Sequence, residues 1–332
     1  MVRFTIMFAF LTFSSCISLL FFYCIQTAIR WGVNGINLAT RDSNPKFSAR
    51  FDSAYRYRYA VLCLSAVSNY AKRQAIRKTW AKDIENSGGR VWFIVGYRPL
   101  TDDSVTNCNQ PENNGDADCT GAEGSSNPED YESRDMINVS VEDNYANVVF
   151  KLLEALSLAN LREARYILKT DDDVYVNVRV LNDVIEQNIG SALGTGGTAI
   201  PPNGFLGYAL REQPAVRDSY SPWYIPFSLY SDPVLPDYLS GTGYIFPSSI
   251  LPKLITCPDR VSIVPPEDVY FTGICRKHFG FTLRNDPFGR FGFHDAPRIP
   301  CVLAKRIIIH GVSEREMNQI DAEIGSDSQI DC

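Results

Sequence analysis

The chain has 332 residues, 45% of them hydrophobic, enough to bury the core of one large domain or two small ones. A net charge of −6 and a pI near 5.2 leave no broad basic surface for phosphates, which excludes a nucleic-acid partner. The chain reads as globular.

Between Phe4 and Ile29 there is no charged residue, a run of 26. A helix needs about 20 apolar residues to cross a bilayer, whereas the apolar part of a cleaved signal is about 7–15 long and ends at a small-x-small site. The sequence therefore predicts a cytoplasmic tail (1–3), an uncleaved transmembrane signal anchor (4–29), a polar stem (30–53) and a luminal domain (54–332). Of nine cysteines, Cys16 and Cys24 lie in the apolar run, which leaves an odd set of seven. Cys108 and Cys119 suit a local disulfide, and Cys63, inside an apolar strand, is expected to pack as a small hydrophobe. No Cys/His zinc pattern occurs. Asn138-Val139-Ser140 is the only N-glycosylation sequon and fits a luminal domain.

The folded part opens with an apolar run at 55–69, followed by residues 71–84, where Ile76, Trp80 and Ile84 repeat at helical period. A second strand is predicted at 91–96 and a solvated acidic insertion at 98–134. A strand at 135–141 follows, then a helix at 144–161 with Tyr145, Val149, Leu152, Leu153 and Leu156 on one face. Next come a strand RYILKT, three aspartates and VYVNVRVLNDVIEQN. This alternation indicates an α/β nucleotide-binding sheet with ligands at the carboxyl ends of its strands. Beyond about residue 195, Gly, Pro and aromatics dominate and suggest irregular substrate-facing loops.

Three constellations carry chemistry. Asp171, Asp172 and Asp173 interrupt an apolar run, an arrangement that costs free energy unless a cation or donors offset it. Asp171 and Asp173 share a side and suit a hard cation carrying a diphosphate, while Asp172 points elsewhere and could meet Lys169 or backbone donors. An acidic turn is the plain alternative. Glu267-Asp268 follows two prolines at a helix start, which reads either as a cap or as a base facing a sugar hydroxyl. His310, at the end of a β-branched run, could complete a metal site with Asp173, although a lone histidine is more often structural. Arg73 and Arg77 form either a solvated basic face or a grip on a nucleotide diphosphate.

In order across about 270 residues, KRQAIRKTW, VWFIVG, DMINVSVEDNYANVVFK, YILKTDDDVYVN, DYLSGTGYIF and EDVYFTGIC resemble the motifs of glycosyltransferase family 31. This is the β1,3-galactosyltransferase and β1,3-N-acetylglucosaminyltransferase group. The resemblance implies a GT-A type fold, a Rossmann-like mixed sheet flanked by helices, and a single-pass type II Golgi enzyme with its catalytic domain in the lumen. It also implies a UDP-sugar donor, Mn²⁺ and inversion at the anomeric carbon. Asp173 and His310 would then be metal ligands and Asp268 the base. Arg73, Arg77, Lys169, Asp171 and Asp172 would lie on the nucleotide side, and Gly241, Gly243 and Glu267 along the donor and acceptor loops.

The sequence departs from the family where Val139-Ser140 replaces Asp-Phe, Val148-Val149 replaces Leu-Thr and Leu239 stands for Cys. EDVYFTG also carries one extra residue before its Gly. The resulting expectation is a Mn²⁺-dependent inverting transferase, galactosyl first and N-acetylglucosaminyl as alternative, acting on a glycan of a glycoprotein or glycolipid. A non-catalytic glycan-binding or chaperone-like relative is the rival from another class, and its mark would be loss of the aspartates.

Overall fold

The computed structural model describes residues 54–98, 134–158, 161–190, 199–294 and 296–325. The expected anchor and stem, most of the acidic insertion and the Cys108/Cys119 pair lie outside them. Among the described residues no helix is long and apolar enough to cross a membrane.

The near-continuous apolar runs form strands covered on both faces. β1 (Tyr57–Leu64), β2 (Arg90–Tyr97), β3 (Met136–Glu142) and β4 (Ala164–Asp171) run parallel to one another. β7 (Tyr238–Pro247) is antiparallel to β4, β6 (Gly204–Leu210) is antiparallel to β7, and β8 (Thr282–Asn285) is parallel to β6. The sheet order is β3-β2-β1-β4-β7-β6-β8. Alternation along β1 divides the core: Tyr59, Val61 and Cys63 pack on one face with Ile76, Trp80 and Ile84. Ala60, Leu62 and Leu64 pack on the other with Val149, Leu152 and Leu156.

The helix expected at 71–84 is two helices, α1 (Tyr70–Lys78) and α2 (Trp80–Asn86), broken at Thr79 (φ −111°, ψ −117°). The Thr79 hydroxyl donates to the Ala75 carbonyl at 2.8 Å, the back-bonding that competes with a regular helix. The apolar stripe survives the break, because Trp80 stays buried and its Nε1 donates to the Val174 carbonyl at 3.1 Å. α3 (Val148–Leu158) starts later than expected, after a 3₁₀ turn (Tyr145–Asn147) capped by Asn144. Tyr145 therefore leaves the core face and is 52% exposed.

β5 (Val174–Val176) leads into α4 (Val178–Gly190) and pairs with β9 (Ile308–His310) in a small second sheet. The expectation of irregular loops beyond residue 195 is corrected by β6, β7 and β8, which extend the main sheet. Their glycines hid them from a propensity reading: Gly204 lets β6 approach the Thr282 backbone where a Cβ would collide. Phe205, Tyr244 and Phe246 then fill the layer beneath.

The second face is closed by α5 (Leu251–Ile255) and by a helix over 267–279 whose middle, Val269–Cys275, is a π-helix running into α6 (Arg276–Phe279). A π segment is how a helix houses an extra residue, so the additional residue before Gly273 is absorbed there. Cys257 and Cys275 form a disulfide, Cys301 is disulfide-bonded, and Cys63 is free and buried, as its apolar setting indicated. α7 (Pro300–Leu303) precedes β9, and α8 (Glu314–Ile324), opened by a Ser313/Glu316 capping box, is the last element among the described residues.

Candidate active site

β1 continues to β2 on one side while β4 lies on its other side, so the carboxyl ends of β1 and β4 flank a topological switch point, where open α/β sheets bind ligands. Asp171 ends β4, paired with Leu64 at the end of β1. Asp172 crosses the gap, accepting from Asn69 Nδ2 at 2.9 Å and from Lys72 Nζ at 3.2 Å.

Lys169 is the hub of the site. It points the same way as Asp171, two residues along the strand, and its ammonium is 2.8 Å from Asp171 Oδ1, 2.6 Å from Glu267 Oε1 and 2.7 Å from the Gly241 carbonyl. The expected partner Asp172 is replaced by Asp171 and Glu267, because strand alternation turns Asp172 to the opposite side. Three acceptors at these distances use all three ammonium protons, and the two carboxylates hold the Lys169 pKa above the ordinary lysine range despite its burial. Glu267 also accepts from the Tyr244 hydroxyl at 2.9 Å. Burial pushes Glu267 up to about 7, against the pull of Lys169.

Asp268 is held differently. Its carboxylate accepts from the Gly241 N–H at 3.0 Å and the Val269 N–H at 2.8 Å. Burial raises its pKa, opposed by Lys169 and these two N–H groups. Asp268 caps the helix turn through the Val269 N–H, and its partly buried carboxylate has raised basicity. Gly241 packs tightly on the two carboxylates: a Cβ there would lie 3.2 Å from both Asp268 Oδ2 and Glu267 Oε1, so each would have to give by a few tenths of an ångström. At Gly243 a Cβ would come within 2.7 Å of Ile308, so this glycine brings β7 against β9.

On the other flank, the β5–β9 ladder sets His310 opposite Val174, and the Val312 N–H donates to the Asp173 carbonyl at 2.9 Å. His310 Nε2 then lies 3.6 Å from Asp173 Oδ2. Burial and then the Asp171 charge raise the Asp173 pKa, partly offset by His310 and Lys72. A carboxylate and an imidazole beside further negative charge suit a divalent transition cation. Among the described residues no cluster of three or more His, Cys, Asp or Glu converges to hold a metal by protein ligands alone. Two protein ligands with the remainder from phosphate oxygens and water is a normal arrangement for a cation bound with a diphosphate.

The two arginines stand elsewhere. Arg73 is fully buried rather than solvated, donating to Ser65 Oγ and to the Ala66 and Val67 carbonyls, and so shapes the β1–α1 loop from within. Arg77 makes a bidentate pair with Asp135 at 2.8 and 3.0 Å and lies over the Phe93 ring, tying α1 to β3. Asn138 is exposed on the outer strand β3, as a sequon asparagine must be. Sequence reasoning missed Asn69, Lys72, Tyr244 and the Asp143–Lys151 pair, whose Nζ also binds the Ser65 carbonyl at 2.6 Å. Only Asp143, in the EDN triplet after β3, carried a local signal.

The chain is similar in sequence to known proteins over most of its length. The family model described as galactosyltransferase matches residues 121–287. Beta-1,3-galactosyltransferase 1 of Mus musculus, and equally that of Homo sapiens, is 27% identical over 283 residues, covering 82% of this chain and 75% of the relative. Lactosylceramide 1,3-N-acetyl-beta-D-glucosaminyltransferase of Rattus norvegicus is 25% identical over 264 residues, covering 75% of this chain and 62% of that one. A solved glycosyltransferase involved in glycosylating the major capsid of PBCV-1 superposes with a TM-score of 0.34 at 11% identity, over 79% of this chain and 98% of its own, too distant to bear on the assignment. With the family model spanning half of its length and the aspartates, Gly241 and Asp268 all inside the matched region, the chain belongs to the galactosyltransferase family, glycosyltransferase family 31.

Proposed function

We propose that the protein is an inverting, Mn²⁺-dependent glycosyltransferase of GT-A type that moves a hexose, galactose in the first instance, from a UDP-sugar to a glycan acceptor in β1,3 linkage. The observation that carries this reading is the division of the site into two flanks joined by Lys169. Asp173 and His310 stand on one flank, and Asp268, partly buried and held by two backbone N–H groups, stands next to Glu267, the other carboxylate partner of Lys169.

Direct displacement needs both flanks. The acceptor hydroxyl gives its proton to the Asp268 carboxylate while its oxygen forms the bond to the anomeric carbon. The bond from that carbon to the diphosphate breaks, the electron pair stays on the diphosphate oxygen, and the configuration inverts. Asp173 and His310 would hold a cation that supplies positive charge to offset what develops on the leaving diphosphate. Asp171, fixed by Lys169, and Asp172, fixed by Asn69 and Lys72, keep that flank in shape.

N-acetylglucosaminyl transfer is the second reading, favoured by the likeness to the rat lactosylceramide enzyme. The 26-residue apolar run supports a single-pass type II Golgi membrane protein acting in protein or lipid glycosylation. The test is transfer by the full chain in detergent from a panel of UDP-sugars, with Mn²⁺ or chelator, and product linkage read by NMR. Asp268→Asn keeps an oxygen for one of the two N–H groups, which bind separate carboxylate oxygens, and removes the base, so transfer should fall by about 10²–10⁴-fold while UDP binding persists. Undiminished transfer by this variant would assign the base elsewhere.

A further inference from the structure

The helix that starts at Glu267 lies along the first half of β7, and three of its side chains fasten the two together. Asp268, Thr272 and Arg276 stand four residues apart on the helix, and each meets an alternate residue of the chain at β7. Asp268 accepts from the Gly241 N–H at 3.0 Å, the Thr272 hydroxyl oxygen accepts from the Leu239 N–H at 2.8 Å, and the Arg276 guanidinium donates to the Asp237 carbonyl at 3.2 Å. Between these rungs the fit is close, since a Cβ on Gly273 would lie 3.2 Å from both Pro236 Cγ and Tyr238 Cβ.

The first half of β7 needs such fastening. Its pairing with β4 ends at Thr170 and Gly243, and a main chain that leaves a ladder must find other partners. The Thr242 carbonyl takes the Thr170 hydroxyl at 2.9 Å, and the Gly241 carbonyl takes Lys169. The Leu239 N–H takes Thr272. That hydroxyl does two things at once: while its lone pair accepts from Leu239, its single proton goes to the Asp268 main-chain carbonyl at 2.6 Å. Thr272 and Leu239 are both 0% exposed, so solvent does not replace either bond. One buried oxygen thus joins the residue that carries the carboxylate to the strand whose Gly241 N–H holds that carboxylate. Thr272 directly precedes Gly273, in the EDVYFTG stretch with the additional residue, so the π segment that absorbs this residue also carries the bridge.

We propose that Thr272 is a positioning residue for the base, its hydroxyl fixing where the Asp268 carboxylate stands against the Gly241 N–H. The inference rests on the reading of Asp268 as the base. Without the hydroxyl, the Leu239 N–H and the Asp268 carbonyl lose a shared partner, the helix and β7 are no longer held in register at the middle rung, and the carboxylate shifts from its N–H. A general base displaced from its proton loses rate steeply, whereas the Asp173 and His310 flank, on other elements, keeps its hold on the nucleotide.

The test compares wild type with Thr272→Val, Thr272→Ala and Thr272→Ser, as full chains in detergent. Valine keeps the shape and removes the hydroxyl. Alanine removes it without adding a methyl, and it answers the same question if the valine variant does not fold. Serine keeps the hydroxyl. Three readouts are taken: kcat with UDP-galactose and p-nitrophenyl β-galactoside, the Kd for UDP with Mn²⁺ by calorimetry, and hydrogen exchange of the Gly241 amide in [15N]glycine-labelled protein, assigned by its loss in Gly241→Ala. Valine or alanine should lower kcat by about tenfold or more with the UDP Kd within about twofold of wild type. The Gly241 amide should exchange about tenfold faster in the same variants, and serine should restore both kcat and protection. A merely structural residue would lower Tm while leaving kcat per folded molecule and Gly241 exchange unchanged; that result overturns the proposal, as does failure of serine to restore them. Asp268→Asn separates the two readings. If it transfers like wild type, or if wild type transfers nothing, the reading of Asp268 as base falls, and Gly241 exchange still decides whether Thr272 sets the carboxylate.

Discussion

Lys169→Met isolates the contribution of the buried hub. Methionine is of similar length and fills the space, so the change removes three charge-assisted contacts and little volume. At pH 8 it leaves Glu267, 5% exposed, with only the Tyr244 hydroxyl as donor, and it strips the Gly241 carbonyl of its partner. Breaking one side of a buried ion pair costs about 3–5 kcal/mol. For a domain of this size that lowers Tm by about 10 °C. The pH dependence is a sharper check. Burial holds Glu267 at about 7, above its ordinary 4.5, so its contribution favours folding at low pH and fades as pH rises toward 7. Lys169 opposes that rise, and removing it pushes Glu267 higher still, which extends the loss to higher pH. At pH 5 Glu267 carries its proton in both proteins and the difference should shrink to the half-exposed Asp171 contact and the carbonyl. Thermal unfolding of both chains at pH 5 and pH 8 decides it. A loss under about 1 kcal/mol at pH 8, or equal losses at the two pH values, would refute the argument that burial makes this ion pair costly to break.

Three further outcomes are expected. Because burial raises the Asp268 pKa, the acidic limb of kcat/KM should lie above the ordinary 3.8 and fall about tenfold per pH unit below it; a limb at or below 3.8 would remove Asp268 as the base. Gly241→Ala places a Cβ 3.2 Å from Asp268 Oδ2 and Glu267 Oε1. Displacing the base by a few tenths of an ångström should cut kcat/KM by about 10–10²-fold with Tm nearly unchanged, and equal losses in both would mean that the glycine serves folding alone. Mn²⁺ with UDP should stabilise wild type by about 2.7 kcal/mol at a hundredfold excess over Kd. Asp173→Ala should abolish the Mn²⁺-dependent part; a metal shift that survives in this variant would move the cation elsewhere.

Much of the first half of the fold was legible because each buried element there repeats its apolar residues at its own period. Ile76, Trp80 and Ile84 stayed on one face even where Thr79 broke the helix beneath them, since burial depends on the stripe and not on an unbroken hydrogen-bond ladder. The main-sheet strands after residue 200, β6, β7 and β8, were not legible. Gly204, Gly207, Gly241 and Gly243 lower strand propensity and leave space for close neighbours, backbone at Gly204 and Gly207 and side chains of Glu267, Asp268 and Ile308 at Gly241 and Gly243, a reason visible only in three dimensions.

At the site the same division holds. The sequence by itself determined which chemistry was available: a carboxylate cluster at a strand end, a Glu-Asp pair at a helix start and a histidine closing a β-branched run. Their pairing was decided by tertiary structure, because Lys169 meets Glu267 across 98 positions and Asp172 meets Asn69 across 103. Local pattern fixes the side of a strand on which a residue points, and so places Asp171 with Lys169. Which distant group waits on that side depends on how β7, β9 and the helix at 267 pack against β4, and tertiary packing likewise turned Arg73 from a solvated cation into a buried brace and Tyr145 from a core residue into an exposed one.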